Sequence, residues 1–520
     1  MTAHPQAILV FLGLLVLVTG GGFVASRLRT VDLSQLNEWG LAGRSFGTLV
    51  TWFLIGGDLY TAYTFLAVPA LVFGTGATGF FAVPFSILEF PLLFIALPRL
   101  WSVARRRGYV TAADFVRGRF GSRHLALVVA LTGMVATVPY IALQLLGMQM
   151  VFAALGIRSE WALPGVGVVP NVPLLAAFIV LAVYTYASGL RGSALIAVAK
   201  DLLIYVTVLA AVIVIPASMG GYAKVFAGVD SGGLLLAHGA AGNAGPGFAY
   251  VSLILGSLLA MFMYPHIVTG MLSARSGDVI RRNAMLLPAY SFALALIALL
   301  GYMAVSAQVK SMPEYAAGFR AFGNNFAVPA LFLHAFPPWF AGVAFAAIAI
   351  GALVPAAIMA IACGNLFTRN VFKEFIAPDC SAALESRVAK IVSLCMKLGA
   401  LLFVMELQSS YAIQLQLLGG IWICQTVPAV LIGLYTRFFH PNALLIGWAV
   451  GMLSGTWMAA QLDFRASVYA LKLFGYTVPC YAALSALALN LAVCVALSLL
   501  CNAWSTGPRI DETLAEDYSG

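Results

Sequence analysis

Lys200 and Asp201 stand side by side within SALIAVAKDLLIYVTVLAAVIVI (193–215), an otherwise apolar run long enough to cross a bilayer. An ionisable side chain at that depth costs roughly 2.5–3.5 kcal/mol on insertion scales unless it faces a partner or a wet cavity, so such residues mark ion and substrate pathways. Two further segments gather polar groups where a helix is weak. In TWFLIGGDLYTAYTFLAVPALVF (51–73), Gly56 and Gly57 adjoin Asp58, Tyr60 and Thr61. Glycine weakens a helix by roughly 1 kcal/mol against alanine. In GSLLAMFMYPHIVTGML (256–272), Pro265 lies between Tyr264 and His266. Proline removes one backbone hydrogen bond and clashes with the preceding turn. An interrupted span frees amides and carbonyls near the membrane midplane, where they can hold an ion or a solute. The chemistry these residues suit is binding and release, with a charge in the protein set against the charge carried.

Composition fixes the setting. The 520 residues are 62% hydrophobic and 9% charged, with a mean hydropathy of +0.97. A soluble domain carries about 25% charged residues, so the chain reads as an all-α polytopic membrane protein. The net charge of +9 sits in short loops between apolar runs and gives no nucleic-acid surface. The seven cysteines (Cys363, Cys380, Cys395, Cys424, Cys480, Cys494 and Cys501) show no CxxC spacing and read as free thiols. The first apolar run (8–25) lacks a basic leader and a small-residue cleavage site, and reads as a retained helix.

At about 20 apolar residues per crossing, the sequence predicts thirteen spans, near 8–26, 46–73, 79–99, 125–155, 173–188, 193–215, 248–272, 284–305, 339–367, 388–405, 410–435, 441–463 and 477–501. They divide into an N-terminal helix and inner loop (1–45), a first five-helix set (46–215), an outer loop (216–247), a second five-helix set (248–435), two C-terminal helices (436–501) and a short acidic tail (502–520) expected to be disordered. The inner loop 100–124 and the outer loops 216–247 and 306–338 are the longest gaps. An N-terminus outside puts most Lys and Arg on the cytoplasmic side, as the positive-inside rule requires. The cluster Arg99, Arg105, Arg106, Arg107, Arg117, Arg119 and Arg123 then reads as an orientation signal facing lipid headgroups. An odd number of spans in each set makes the two sets opposite in topology, an inverted repeat, and each set opens on one of the broken segments. Singly, each break has a plainer reading: a glycine pair as a packing contact, a proline as a kink, a histidine as a satisfied core residue. Their equivalent placement favours one composite site.

GGDLYTAYTFLAVPALVFGTGATGFF, TAADFVRGRFGSR (111–123), PYIALQLLGMQ (139–149) and NLFTRNVFKEF (365–375) together resemble the sodium/solute symporter family. The last is similar to that family's LFTRDIYK signature, with Asn370 where aspartate is usual. The resemblance implies the five-plus-five inverted-repeat core of LeuT-like transporters. GALVPAAIMAIACGNLFTRN (351–370) and MFMYPHIVTG (261–270) most resemble the bacterial monocarboxylate permeases, which implies a small anionic 2-oxo or 2-hydroxy acid such as pyruvate or lactate as substrate, in the inner membrane, with no cofactor and no obligate protein partner.

The resemblance also marks departures. The family's sodium site takes carbonyls at the positions of Gly56, Leu59 and Gly351, and hydroxyls at two adjacent positions that are Val354 and Pro355 here. Neither offers a side-chain oxygen, and a hard cation in a dry site cannot spare two of about five ligands. The fifth core helix, which faces that site, has Lys200–Asp201 where the family usually has Thr-Asp. A proton carried by Lys200, with Asp201 and Asp58 as its counter-charges, is the coupling expected in place of sodium; a fixed Lys200 strut is the plainer alternative. Substrate candidates are Tyr60, Thr61, Tyr140, Gln144, Tyr264, His266, Gln414 and Gln425. Rival readings are a sodium-coupled symporter of acetate, proline or a sugar, uncoupled exchange, and a transporter-like sensor, for which only about 19 residues follow the last span. No HExxH, nucleophile elbow or P-loop suggests an enzyme or a metal centre.

Overall fold

In the computed structural model the described residues are 4–27, 32–163, 167–236, 245–406, 412–473, 475–504 and 510–518. Residues 237–244 of the outer loop, 505–509 and 519–520 of the tail, and 410–411 at one span boundary lie outside them. The described chain is mostly helical. Ten helices are long and apolar enough to cross a membrane, or eleven if the bent pair Gly247–Met263 and Pro265–Leu272 is one span. The expected thirteen is not reached by that measure, and two double-length runs account for the difference. Tyr63–Arg107 has 45 residues and Val172–Ser218 has 47. A straight helix of the latter length would extend about 70 Å, more than twice a hydrocarbon core of about 30 Å. It breaks at Gly189, whose φ of 57° and ψ of −153° are non-helical. A side chain there would also meet the Trp39 carbonyl.

The two weak points of the sequence are breaks in space. Thr48–Leu59 ends at Tyr60, which has left helical geometry (φ −96°, ψ 86°), and the chain resumes through a π-helical turn, Tyr63–Ala67. Gly245–Met263 ends at Tyr264 (φ −59°, ψ 133°), and Pro265–Leu272 leaves at 50° to it. Proline suits the first turn of the new helix, where its missing N–H is not needed. The Pro338–Phe367 helix runs through the middle, its most apolar stretch wholly buried inside the protein. It packs on Arg123–Ala154, Val172–Ser218, Ala382–Glu406 and the N-terminal Pro5–Arg27 helix.

Three peripheral expectations are corrected. The outer segment 306–338 is not an open loop: it carries short helices, among them Ala316–Phe322 and Ala327–Ala335, and buries Phe326, Val328 and Leu331. The last span begins later than expected, at Ala482, because Tyr476–Tyr481 pairs with Val468–Leu473 in an antiparallel hairpin. The tail is ordered over 510–518. Asp517 pairs with Arg107 at 2.7 Å, Asp511 with Arg119 at 2.7 Å, and Arg106 donates to the Glu516 carbonyl. Burial alone would raise the Asp517 carboxyl, but the Leu514 amide and Arg107 hold it below its ordinary value. The arginine cluster therefore binds protein. Arg119 donates to the Gly433 and Thr436 carbonyls, both at 3.1 Å, and Arg99 donates to Leu434 at 2.8 Å and lies over the Tyr518 ring.

Two of the motifs meet on this face. Asp114 closes a capping box with Thr111 at the start of the Ala112–Phe120 helix. Its other oxygen accepts from Asn370 Nδ2 at 2.7 Å, and Thr111 donates to Asn370 Oδ1 at 2.8 Å. Arg369 then joins Glu385 at 3.1 Å. A carboxylate at 370 would face that of Asp114, which an amide avoids. Asn370→Asp should therefore lower stability by about 1–3 kcal/mol, read as a lower thermal midpoint in detergent; an unchanged midpoint would show that the contact is not formed in solution.

Candidate functional site

The first break is filled by the lysine. Lys200 is fully buried, and its ammonium donates to the carbonyls of Gly57 and, at 3.5 Å, Tyr60. It forms an ion pair with Asp201 Oδ1 at 3.1 Å. The carbonyls used are thus one residue further along than the expected Gly56 and Leu59. The helix ends at Leu59, and the Leu59 carbonyl is already taken by Thr64 Oγ1 at 2.5 Å. Exposed carbonyls at a helix C-terminus carry partial negative charge, which suits an ammonium.

Tyr290, which the sequence reading did not single out, completes the arrangement. Its hydroxyl donates to Asp201 Oδ2 at 2.7 Å, and the Tyr60 hydroxyl donates to the Tyr290 carbonyl at 3.2 Å. The rings of Tyr60, Tyr205, Tyr290 and Trp52 pack together with centroids 4.7–5.9 Å apart. This explains the glycine pair. A Cβ on Gly56 would lie inside the Tyr290 ring, and one on Gly57 would lie 2.7 Å from the lysine nitrogen. The glycines permit close approach as well as a break. Gly351 passes nearby, where a Cβ would be 3.6 Å from the Tyr60 carbonyl oxygen. Val354 and Pro355, one turn along the same helix, are buried and add no oxygen. At the family's sodium position the two hydroxyl positions are apolar and the Leu59 carbonyl is taken by Thr64, a poor oxygen set for a hard cation.

A second cluster forms around the other break. Tyr140, Tyr264 and His266 pack with centroids 5.4–5.5 Å apart. His266 is fully buried, and neither ring nitrogen has a hydrogen-bond partner among the described residues. Tyr264 donates to the Gln416 carbonyl at 3.0 Å. Gln144 accepts from the Ala62 amide at 3.0 Å, just past the first break, and donates to the Tyr140 carbonyl at 3.4 Å. Thr61 accepts from the Tyr63 amide at 3.0 Å and lies beside Tyr140.

Of the substrate candidates, Thr61, Tyr140, Gln144, Tyr264 and His266 come together, while Tyr60 joins the lysine cluster. Two are placed elsewhere. Gln414 accepts from Ser467 at 2.7 Å at the base of the Val468–Tyr481 hairpin. Gln425 bonds Ile421, Ala483 and Asn490, facing the last helix. Gln416, two residues from Gln414 and so on nearly the opposite helix face, is buried, as Gln425 is. Asp58 is buried within electrostatic reach of Lys200, yet neither oxygen accepts a hydrogen bond from a described residue. The sequence reading also passed over Tyr63, whose hydroxyl is buried without a partner among the described residues, and Glu89, buried within reach of Tyr140. A carboxyl amid the apolar run 79–99 was the available signal for Glu89. Tyrosine is common enough in membrane helices that Tyr63 and Tyr290 gave none.

Known proteins share this architecture. The structure of a Na+-coupled sialic acid symporter in its substrate-bound outward-open state superposes with a TM-score of 0.74 over 95% of this chain and 98% of that one, at 16% identity. It shows the fold, a LeuT-like five-plus-five core. A monocarboxylate transport permease protein of Rhizobium johnstonii is 51% identical over 505 residues, covering 96% of this chain and 97% of its own. An uncharacterized symporter of Bacillus subtilis, YodF, is 34% identical over 87% of each chain. The family profile of sodium:solute symporters matches residues 39–451. With that match spanning most of a multi-pass chain built on two broken helices, this protein belongs to the sodium:solute symporter family.

Proposed function

We propose that this symporter imports small monocarboxylates such as pyruvate and lactate across a bacterial inner membrane, N-terminus outside and C-terminus in the cytoplasm, and that protons drive it through Lys200. The observation that carries the coupling is the lysine ammonium on the Gly57 and Tyr60 carbonyls, opposite a helix that offers Val354 and Pro355 in place of hydroxyls. Loss and return of a proton at Lys200 would release and restore that contact, which gives the first break a reason to move.

The substrate class rests on the second cluster and on the Rhizobium relative. A carboxylate needs donors. The His266 ring and the Tyr63 hydroxyl are without partners among the described residues, and the Pro265–Leu272 helix presents its positive end beside them. One observation favours sodium instead: the two Asp58 oxygens accept nothing from the described residues.

Uptake of labelled lactate into proteoliposomes separates these readings. An inward proton gradient in sodium-free buffer should drive accumulation, and Lys200→Ala should abolish accumulation while sparing some exchange. Accumulation that follows sodium and ignores the proton gradient would reject proton coupling. His266→Ala should raise the half-saturating lactate concentration by roughly tenfold, the worth of a hydrogen bond to a charged group; an unchanged value would remove His266 from the substrate site.

A further inference from the structure

We infer that Tyr290 is a positioning residue for coupling: its hydroxyl holds Asp201 so that the Lys200 ammonium stays on the broken-helix carbonyls, and it ties that pair to the second repeat. The inference rests on Lys200 being the coupling group.

Three contacts support it. Asp201 has two oxygens, one paired with Lys200 at 3.1 Å and the other accepting from Tyr290 at 2.7 Å. Without the hydroxyl, the second oxygen would face an apolar setting and both would compete for the one ammonium. The lysine would then be drawn towards Asp201 and off the carbonyls of Gly57 and Tyr60. Second, the Pro288–Ser306 helix carrying Tyr290 belongs to the second repeat, whereas Lys200, Asp201 and the first break belong to the first. Tyr60 donates to the Tyr290 carbonyl at 3.2 Å, and Ser86 bonds Ser291 at 3.0 Å, so the helix is pinned to the first repeat at this level. Third, Gly56 has no side chain where the Tyr290 ring lies, so the backbone of the first break is shaped around that ring.

Among the described residues Tyr290 supplies the one hydroxyl that donates to Asp201. The charged and titratable groups facing it are Lys200, Asp58 and Tyr60 from the first broken helix, and Tyr205 one turn along its own helix. The Asp58 carboxylate makes no hydrogen bond to Asp201 or to any other described residue. The central helix contributes Gly351, Leu353, Val354 and Pro355 at this level, none of them a donor.

Tyr290→Phe removes the hydroxyl and keeps the ring, so the packing against Trp52, Tyr60 and Tyr205 survives. In proteoliposomes matched for inserted protein, Tyr290→Phe should lower gradient-driven lactate accumulation by about tenfold, the factor expected for a hydrogen bond to a charged group, while lactate–lactate exchange stays within about twofold of the wild type. A packing defect would lower both together. If Lys200→Ala loses accumulation and Tyr290→Phe keeps it, the role of Tyr290 is overturned while coupling through Lys200 stands. If Lys200→Ala also accumulates lactate as the wild type does, coupling through Lys200 fails, and the role of Tyr290 with it. A proportional loss of accumulation and exchange in Tyr290→Phe likewise overturns the inference.

Discussion

An ammonium fixed to the protein sits at the open end of a broken membrane helix, and the architecture of the centre follows from it. A buried charge of this kind is tolerated only when every side of it is compensated. Here the compensation comes from three elements: carbonyls of the first broken helix, a carboxylate on the adjacent residue, and a tyrosine from the opposite repeat that satisfies the far side of the carboxylate. The glycine pair is part of the same constraint, since neither the tyrosine ring nor the lysine could come so close to a helix bearing side chains at 56 and 57.

The second cluster is a separate environment joined to the first by a short stretch of chain. Gln144 bonds the Ala62 amide just beyond the first break and the Tyr140 carbonyl beside His266. A shift at either cluster is therefore felt at the other through one side chain and a single π-helical turn. The two clusters also differ in kind. Around Lys200 the ammonium and Asp201 are paired and Asp58 alone accepts no hydrogen bond from a described residue, whereas around His266 several hydrogen-bonding groups are buried without a partner among the described residues, the condition expected of a surface that a polar solute completes.

The face that carries the arginine cluster shows the two repeats fastened together. Asp114, Thr111 and Asn370 join the inner helix of the first set to the end of the central helix of the second. The acidic tail lies across arginines that also hold the carbonyls at 433–436. Charged groups that composition alone assigns to the lipid surface are here largely used within the protein: Arg99, Arg106, Arg107, Arg117 and Arg119 each meet a carbonyl or carboxylate, and Arg105 and Arg123 lie over the Trp101 and Phe375 rings.

The sequence alone determined what depends on short stretches of chain. Long apolar runs make a membrane protein, glycine and proline weaken helices at their own positions, and a lysine stands out wherever its neighbours are apolar. Those features located both breaks and the buried Lys200–Asp201 pair, while the apolar residues at 354 and 355 stood out only against the family resemblance. Tertiary structure decided what depends on partners far apart in the chain: that the lysine reaches the carbonyls of Gly57 and Tyr60, 143 and 140 residues away, that Tyr290 closes on Asp201 across 89 residues, that Gln414 bonds the segment before the Val468–Tyr481 hairpin and Gln425 the last helix, and that the tail docks. Periodicity constrains which face of a helix is apolar, but in a protein apolar on nearly every face it says little about which face meets which neighbour. That choice is made only when the helices pack and the few buried polar groups find one another.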